Sequence, residues 1–203
     1  MRPGQIVVLN GAPRSGKSSI VRAIQTSFDG LWMNLGVDVF VRHMTPAHYR
    51  PGLGLRPGEE GHPIAPLVPT LYAALYDSIA AHSRQGVNVV ADVGHHDAAV
   101  LRECARRIAE LPALLVGVRC PIDEIMRRRN AGETGREGEY AIGSAEEPVP
   151  PPVALWQERV HVPGIYDLEV DTWLLRPDQC AASIRHRLAA APAPDAFRRI
   201  AVS

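Results

Sequence analysis

Residues Gln5–Ser27 read QIVVLNGAPRSGKSSIVRAIQTS, and three patterns meet in them. Ile6–Leu9 is a short, β-branched, continuously apolar run, as a strand buried on both faces would be. Ile20, Val21 and Ile24 recur at helical spacing, which predicts a helix over residues 18–27. Between the two, Gly11-Ala12-Pro13-Arg14-Ser15-Gly16-Lys17-Ser18 matches the pattern G-x-x-x-x-G-K-[ST] in full. Small, bend-prone residues let backbone N–H groups turn inward around phosphate oxygens, and the helix start adds partial positive charge. Lys17 is expected to reach the β- and γ-phosphates, and the Ser18 hydroxyl to ligate Mg²⁺. A glycine turn occurring by chance is not expected between a buried strand and a helix. The nucleotide-contacting set is therefore Gly11, Ala12, Pro13, Arg14, Ser15, Gly16, Lys17, Ser18 and Ser19, with ATP and Mg²⁺ as the bound species.

Further strand-like runs follow at Leu31–Leu35, Val87–Asp92, Leu114–Val118 and Tyr166–Asp171, and helical patterns separate most of them. Leu71, Leu75 and Ile79 share one helix face, and Gly86 is a stop signal. Asp97 is placed to cap a helix carrying Val100, Leu101, Cys104 and Ile108. Pro177 opens a last helix that runs to about residue 188. Strands alternating with helices predict an α/β, three-layer nucleotide-kinase-like fold of the P-loop class, with a parallel sheet of about five strands. One domain over residues 1–190 is expected, with an acceptor-region insertion at about 43–70 and a lid-like segment at about 127–152. The insertion is rich in Pro, Gly and His, and so long a loop is functional or disordered. Pro148, Pro150, Pro151 and Pro152 rule out a helix within residues 132–152, and a mobile segment there is followed by a short helix near Val153–Val160. Residues 191–203 read as a flexible, Ala/Pro-rich tail.

Ligands of such sheets bind at the carboxyl ends of the strands, where Asn10, Asp38, Asp92 and Arg119–Cys120 fall. Asp92 ends a strand and is placed either to hold Mg²⁺ or to cap a helix. Asp38 is placed either to take a proton from a substrate hydroxyl or to N-cap a helix from Val39. Arg127, Arg128 and Arg129 are consecutive, so helical geometry prevents all three from facing one phosphate. Arg136 lies beyond them in a glycine-rich segment suited to close over transferring charge. The histidines His43, His48, His62, His95 and His96 lack the spacing of a zinc site and read as polar loop residues, solvated or touching substrate.

Composition narrows the function. Lys+Arg and Asp+Glu both total 22 in 203 residues, so there is no basic excess of the kind that marks a nucleic-acid or anionic-membrane binder. Three cysteines without metal spacing read as buried free thiols. No run reaches transmembrane length and no signal segment is read at the start, which predicts a cytoplasmic protein.

The strings Ile6–Gly11, Gly16-Lys17-Ser18, Leu35-Gly36-Val37-Asp38, Val90-Ala91-Asp92-Val93, Val116–Cys120 and Tyr166–Thr172 resemble, in order and spacing, the chloramphenicol phosphotransferase family. The resemblance spans residues 5–188. It implies an enzyme that uses ATP and Mg²⁺ to phosphorylate a hydroxyl of a small molecule, typically the primary hydroxyl of chloramphenicol. It makes Asp38 the catalytic aspartate, Gly11–Ser18 the phosphate loop, and Arg128 an arginine of the lid helix. The lid at 130–138, the stretch 45–69 and Gly94-His95-His96 depart from the family pattern. Catalytic roles are thus expected for Asp38, Lys17, Arg128 and Arg136, and metal ligation for Ser18 and Asp92. The partners are ATP and a small hydroxyl-bearing acceptor, with neither nucleic acid nor membrane. A kinase of an ordinary metabolite or nucleoside, and a nucleotide-binding regulator or NTPase without an acceptor, are the alternatives.

Overall fold

A computed structural model describes residues 2–132 and 141–203. Five strands pair in parallel in the order β2-β3-β1-β4-β5. They are β1 Ile6–Asn10, β2 Trp32–Asn34, β3 Asn88–Val93, β4 Ala113–Arg119 and β5 Leu168–Asp171. The expected five-stranded α/β architecture is the one observed. All five residues of the central strand β1 are buried, because successive side chains point to opposite faces and helices cover both. Ile6 and Val8 join Val89, Ala91 and Leu115 in a core beneath α3 Val68–Arg84 and α4 Ala98–Ile108. Val7 and Leu9 join Val90, Leu114 and Val116 beneath α1 Lys17–Ser27 and α7 Pro177–Ala189.

Register positions the chemistry. Leu9 pairs with Asp92 and Asn10 with Val93, so Asp92 stands on the neighbouring strand one residue before the level at which β1 enters the phosphate loop. On the other side of β3, the Leu35 amide donates to Val90 O at 3.0 Å. That bond carries β2 onward to α2 Val37–Val39, whose first turn holds Asp38. Asp97 caps α4 as its position suggested, its Oδ1 accepting from the amides of Ala99 and Val100 at 2.8 and 3.2 Å.

Three expectations are corrected or narrowed. The tail is not an extended, unpacked segment: Ala196–Val202 forms α8, and Ala196, Phe197 and Ile200 are buried against the α4 side of the sheet. The buried carboxylate of Asp167 fastens it, its Oδ1 accepting from the amides of Asp195 and Ala196 at 2.7 and 3.0 Å. The short helix read near residues 153–160 is α6 Pro151–Arg159, but it starts inside the proline cluster expected to exclude one, on Pro151 and Pro152. In the first turn a missing N–H costs nothing, since that donor has no partner inside the helix. The stretch 45–69, read as functional or disordered, is ordered. It is a succession of tight turns at Ala47–Tyr49, Gly52–Gly54 and Ala65–Leu67, tied down by buried Leu53, Leu55 and Ile64.

Candidate active site

The loop between β1 and α1 bends through two left-handed residues, Arg14 at φ 70° and Gly16 at φ 95°. Gly16 meets this conformation without strain, whereas at Arg14 it is uncommon. Arg14 is held there by its own side chain, whose Nη2 donates to Arg128 O at 2.5 Å and Gly132 O at 3.3 Å, at the end of α5 Ile122–Asn130. Arg128 answers from the other direction. Its Nη1 donates to Arg14 O at 3.2 Å, its Nη2 to Thr172 O at 3.1 Å, and its Nε to Glu124 Oε1 at 2.6 Å. Thr172 Oγ1 donates to Ser15 O at 2.7 Å. The phosphate loop is therefore clamped to α5 and to the end of β5. The first turn of α1 carries no acidic side chain and no side-chain cap, which keeps its positive end toward the cleft.

Lys17 folds back over this loop, its Nζ donating to Gly11 O and Ala12 O at 2.8 and 2.9 Å. Burial lowers its pKa, the charges of Asp92 and Asp38 oppose that, and Arg129 adds to the lowering. Asp92 is buried and accepts a 2.8 Å hydrogen bond from Ser18 Oγ on Oδ2. Burial raises its carboxyl above the usual range, against the pull of Lys17 and Ser18, and Asp38 pushes the same way as burial. A carboxylate and a hydroxyl oxygen held together in this way are hard donors of the kind Mg²⁺ takes.

Close approach of β2 to β3 forces the residue before Val37. A Cβ at Gly36 would stand 1.8 Å from Asp92 Oδ1. Gly36→Ala is accordingly expected to lower stability by about 1–3 kcal/mol through overpacking, read as a lower denaturation midpoint in urea. An unchanged midpoint would mean that Asp92 moves aside freely.

These groups open on one cleft of about 890 Å³. Gly11, Pro13, Arg14, Gly16, Lys17, Ser18 and Ser19 line it, as do Asp38 and Asp92. Ala12 and Ser15 are buried behind the loop. The three consecutive arginines diverge as helical geometry requires. Arg127 is 69% exposed and pairs with Glu124. Arg128 and Arg129 line the cleft, Arg129 from a buried position. Arg136 lies outside the described residues. Of the three arginines read from the sequence, Arg129 acts electrostatically on Lys17. The structure also brings in residues that the sequence did not single out: Thr172 under the loop, and Arg42, Arg50 and Arg56, which line the same cleft.

His95 departs from the polar-loop expectation. It is buried between Tyr72 and Tyr76, its Nε2 2.9 Å from Tyr76 Oη, and burial takes its pKa down to about 3. Its backbone N–H donates to Asn10 Oδ1 at 2.9 Å, while Asn10 Nδ2 donates to Val160 O and Tyr166 Oη. The residue before the phosphate loop is thus fixed from three sides. No cluster of three or more metal-ligating His, Cys, Asp or Glu side chains occurs among the described residues, and the three cysteines are buried free thiols.

A family model for chloramphenicol phosphotransferase-like proteins matches residues 4–189. The chain belongs to that family. The Mycobacterium tuberculosis H37Rv protein named "Putative O-phosphotransferase Rv2636" is 26% identical to this chloramphenicol phosphotransferase-like protein, over 98% of this chain and 89% of the relative. Among solved structures, the Deinococcus radiodurans tunicamycin resistance protein superposes with a TM-score of 0.60 at 16% identity, over 94% of this chain and 99% of that one. The Mycobacterium tuberculosis APS kinase CysC, in complex with AMPPNP and APS, gives 0.61 at 15%, over 94% and 100%. These two likenesses establish the P-loop kinase fold, and the family relationship supports a phosphotransferase. No helix among the described residues is long and apolar enough to cross a membrane.

Proposed function

We propose that this chloramphenicol phosphotransferase-like protein transfers the γ-phosphate of ATP to a hydroxyl of a small molecule, with Mg²⁺, in the cytoplasm. The observation that carries the reading is the single cleft in which Lys17, Ser18 and Asp92 share a wall with Asp38. Ser18 and Asp92 would hold Mg²⁺, which when bound neutralises phosphate charge. Lys17 would exchange the Gly11 and Ala12 carbonyls for a phosphate oxygen. Asp38, exposed at the mouth of the acceptor end, accepts the hydroxyl proton. The acceptor oxygen then bonds to the γ-phosphorus as the bridging oxygen to the β-phosphate departs on ADP. Arg129, and Arg128 through its clamp on the loop, keep positive charge facing that centre.

Thermal denaturation tests the donor half. AMPPNP with Mg²⁺ is expected to stabilise the protein by about 2.7 kcal/mol at one hundred times its dissociation constant. No shift at millimolar nucleotide would overturn the reading. Chloramphenicol is the first acceptor to add. Silence at millimolar concentration would remove that compound and leave phosphoryl transfer standing.

A further inference from the structure

The Ser15–Gly16 peptide is anchored from outside the phosphate loop. Ser15 supplies no side-chain anchor of its own, because its Oγ is buried and has no hydrogen-bond partner among the described residues. The contact comes from Thr172, 157 residues further along the chain, whose Oγ1 donates to Ser15 O at 2.7 Å. Thr172 is itself fixed on two sides. Its N–H donates to Arg119 O at 3.0 Å, and its carbonyl accepts from Arg128 Nη2 at 3.1 Å. A threonine hydroxyl has one proton to give. Arg119 O also stands 3.3 Å from Oγ1, but the shorter approach assigns that proton to Ser15 O. Arg128 Nη1, at 3.4 Å, meets the same oxygen as an acceptor and leaves the proton where it is. The loop is pressed against this residue as well. A Cβ at Gly16 would stand 3.3 Å from Thr172 Cγ2 and 3.4 Å from Arg128 Nη1.

In a trans peptide the C=O and N–H point in opposite directions. A Ser15 carbonyl turned onto Thr172 therefore turns the Gly16 N–H away from it. Anion binding by such a loop needs its backbone N–H groups to converge, and one flipped peptide replaces a donor with a carbonyl oxygen that repels the anion. We propose that Thr172 is a positioning residue for the phosphate donor: its hydroxyl locks the Ser15–Gly16 peptide so that the Gly16 N–H is aimed at a phosphate oxygen before the nucleotide arrives. The inference rests on the phosphotransferase reading and adds to it a residue from the far end of the sheet. A loop ordered in advance avoids the cost of ordering it on binding. The effect also divides the nucleotide in two. Its phosphates feel the loss of this hydroxyl, and its adenosine half does not.

Isothermal titration calorimetry with inorganic tripolyphosphate and Mg²⁺, alongside AMPPNP and adenosine, tests this. Thr172→Val keeps the shape and the methyl packing on Gly16 but has no proton to donate. It is expected to bind tripolyphosphate and AMPPNP about tenfold more weakly than the wild type, with adenosine within about twofold. Thr172→Ser keeps the hydroxyl and is expected to restore both affinities to within about threefold, a rescue that a packing role alone would not give. Thr172→Ala makes the same comparison with serine if the valine variant does not fold. Tripolyphosphate bound equally by the wild type and the variant without a hydroxyl overturns the positioning role. So does Thr172→Ser binding as weakly as that variant, or adenosine weakened as much as tripolyphosphate. In each of these cases AMPPNP binding by the wild type keeps the phosphotransferase reading. Failure of the wild type to bind AMPPNP overturns both.

Discussion

Asp38→Asn is expected to lower the turnover of phosphoryl transfer by about 10³-fold, with AMPPNP affinity within about twofold of the wild type. Asn has nearly the shape of Asp but cannot take a proton at neutral pH, so the substitution removes the base and little else. The position favours a clean result. Asp38 is exposed in the first turn of α2, where it lines the cleft, so the substitution buries no unpaired polar group. Asp38 also acts electrostatically on both Lys17 and Asp92. Removing its charge leaves Lys17 with less support for its ammonium and relieves Asp92 of one repulsion, and these effects partly cancel at the metal. Steady-state kinetics with a saturating acceptor, together with an AMPPNP titration, separate the two quantities. Turnover near the wild-type value would remove Asp38 from the chemistry and leave it as an acidic residue favoured at a helix start.

Lys17→Ala strikes the donor half. Its kcat/KM for ATP is expected to fall by about 10²–10³-fold, as when one preorganised donor to transferring charge is removed. The nucleotide dissociation constant is expected to rise alongside it. The ammonium now bonds the carbonyls of Gly11 and Ala12 and offsets the buried charge of Asp92. Its loss therefore also pushes the Asp92 carboxyl further up and weakens the pair proposed to hold Mg²⁺. A direct titration with AMPPNP and kinetics over a range of Mg²⁺ report both effects. Nucleotide binding and turnover within about threefold of the wild type would contradict the role given to the loop.

The phosphate loop was legible because its requirements are local. Glycine at a left-handed turn, a lysine one residue into the helix and a hydroxyl after it are all written within eight residues. Asp92 was legible at one remove, as an acid at the end of an apolar strand, but only the register of β3 on β1 shows that it reaches Ser18. The triple arginine was readable as a divergence and not as an assignment. Which arginine turns outward depends on Glu124, which pairs with Arg127 and Arg128 from the same helix, and on the contacts of Arg14 across the fold.

Residues whose roles come from irregular backbone escaped the reading. Arg42, Arg50 and Arg56 sit on a short helical segment, a turn and an irregular stretch with no periodicity, and it takes the folded chain to bring them to one cleft. His95 resembled a loop histidine because its neighbours in sequence are Gly94 and His96. Its burial is decided by Tyr72 and Tyr76 from α3. The tail misled by composition, since alanine and proline outweigh the few apolar side chains there. Phe197 and Ile200 still lie one helical turn apart, a spacing that buries both on one face.

Transfer of label from γ-radiolabelled ATP tests the central claim most directly. The purified protein is incubated with Mg²⁺ and a fractionated extract of small hydroxyl compounds, with chloramphenicol as a separate addition. Label entering an organic phosphate, only when an acceptor is present and with ADP formed in equal amount, is the outcome of a small-molecule phosphotransferase. Label released solely as inorganic phosphate, at a rate indifferent to every acceptor, would contradict it.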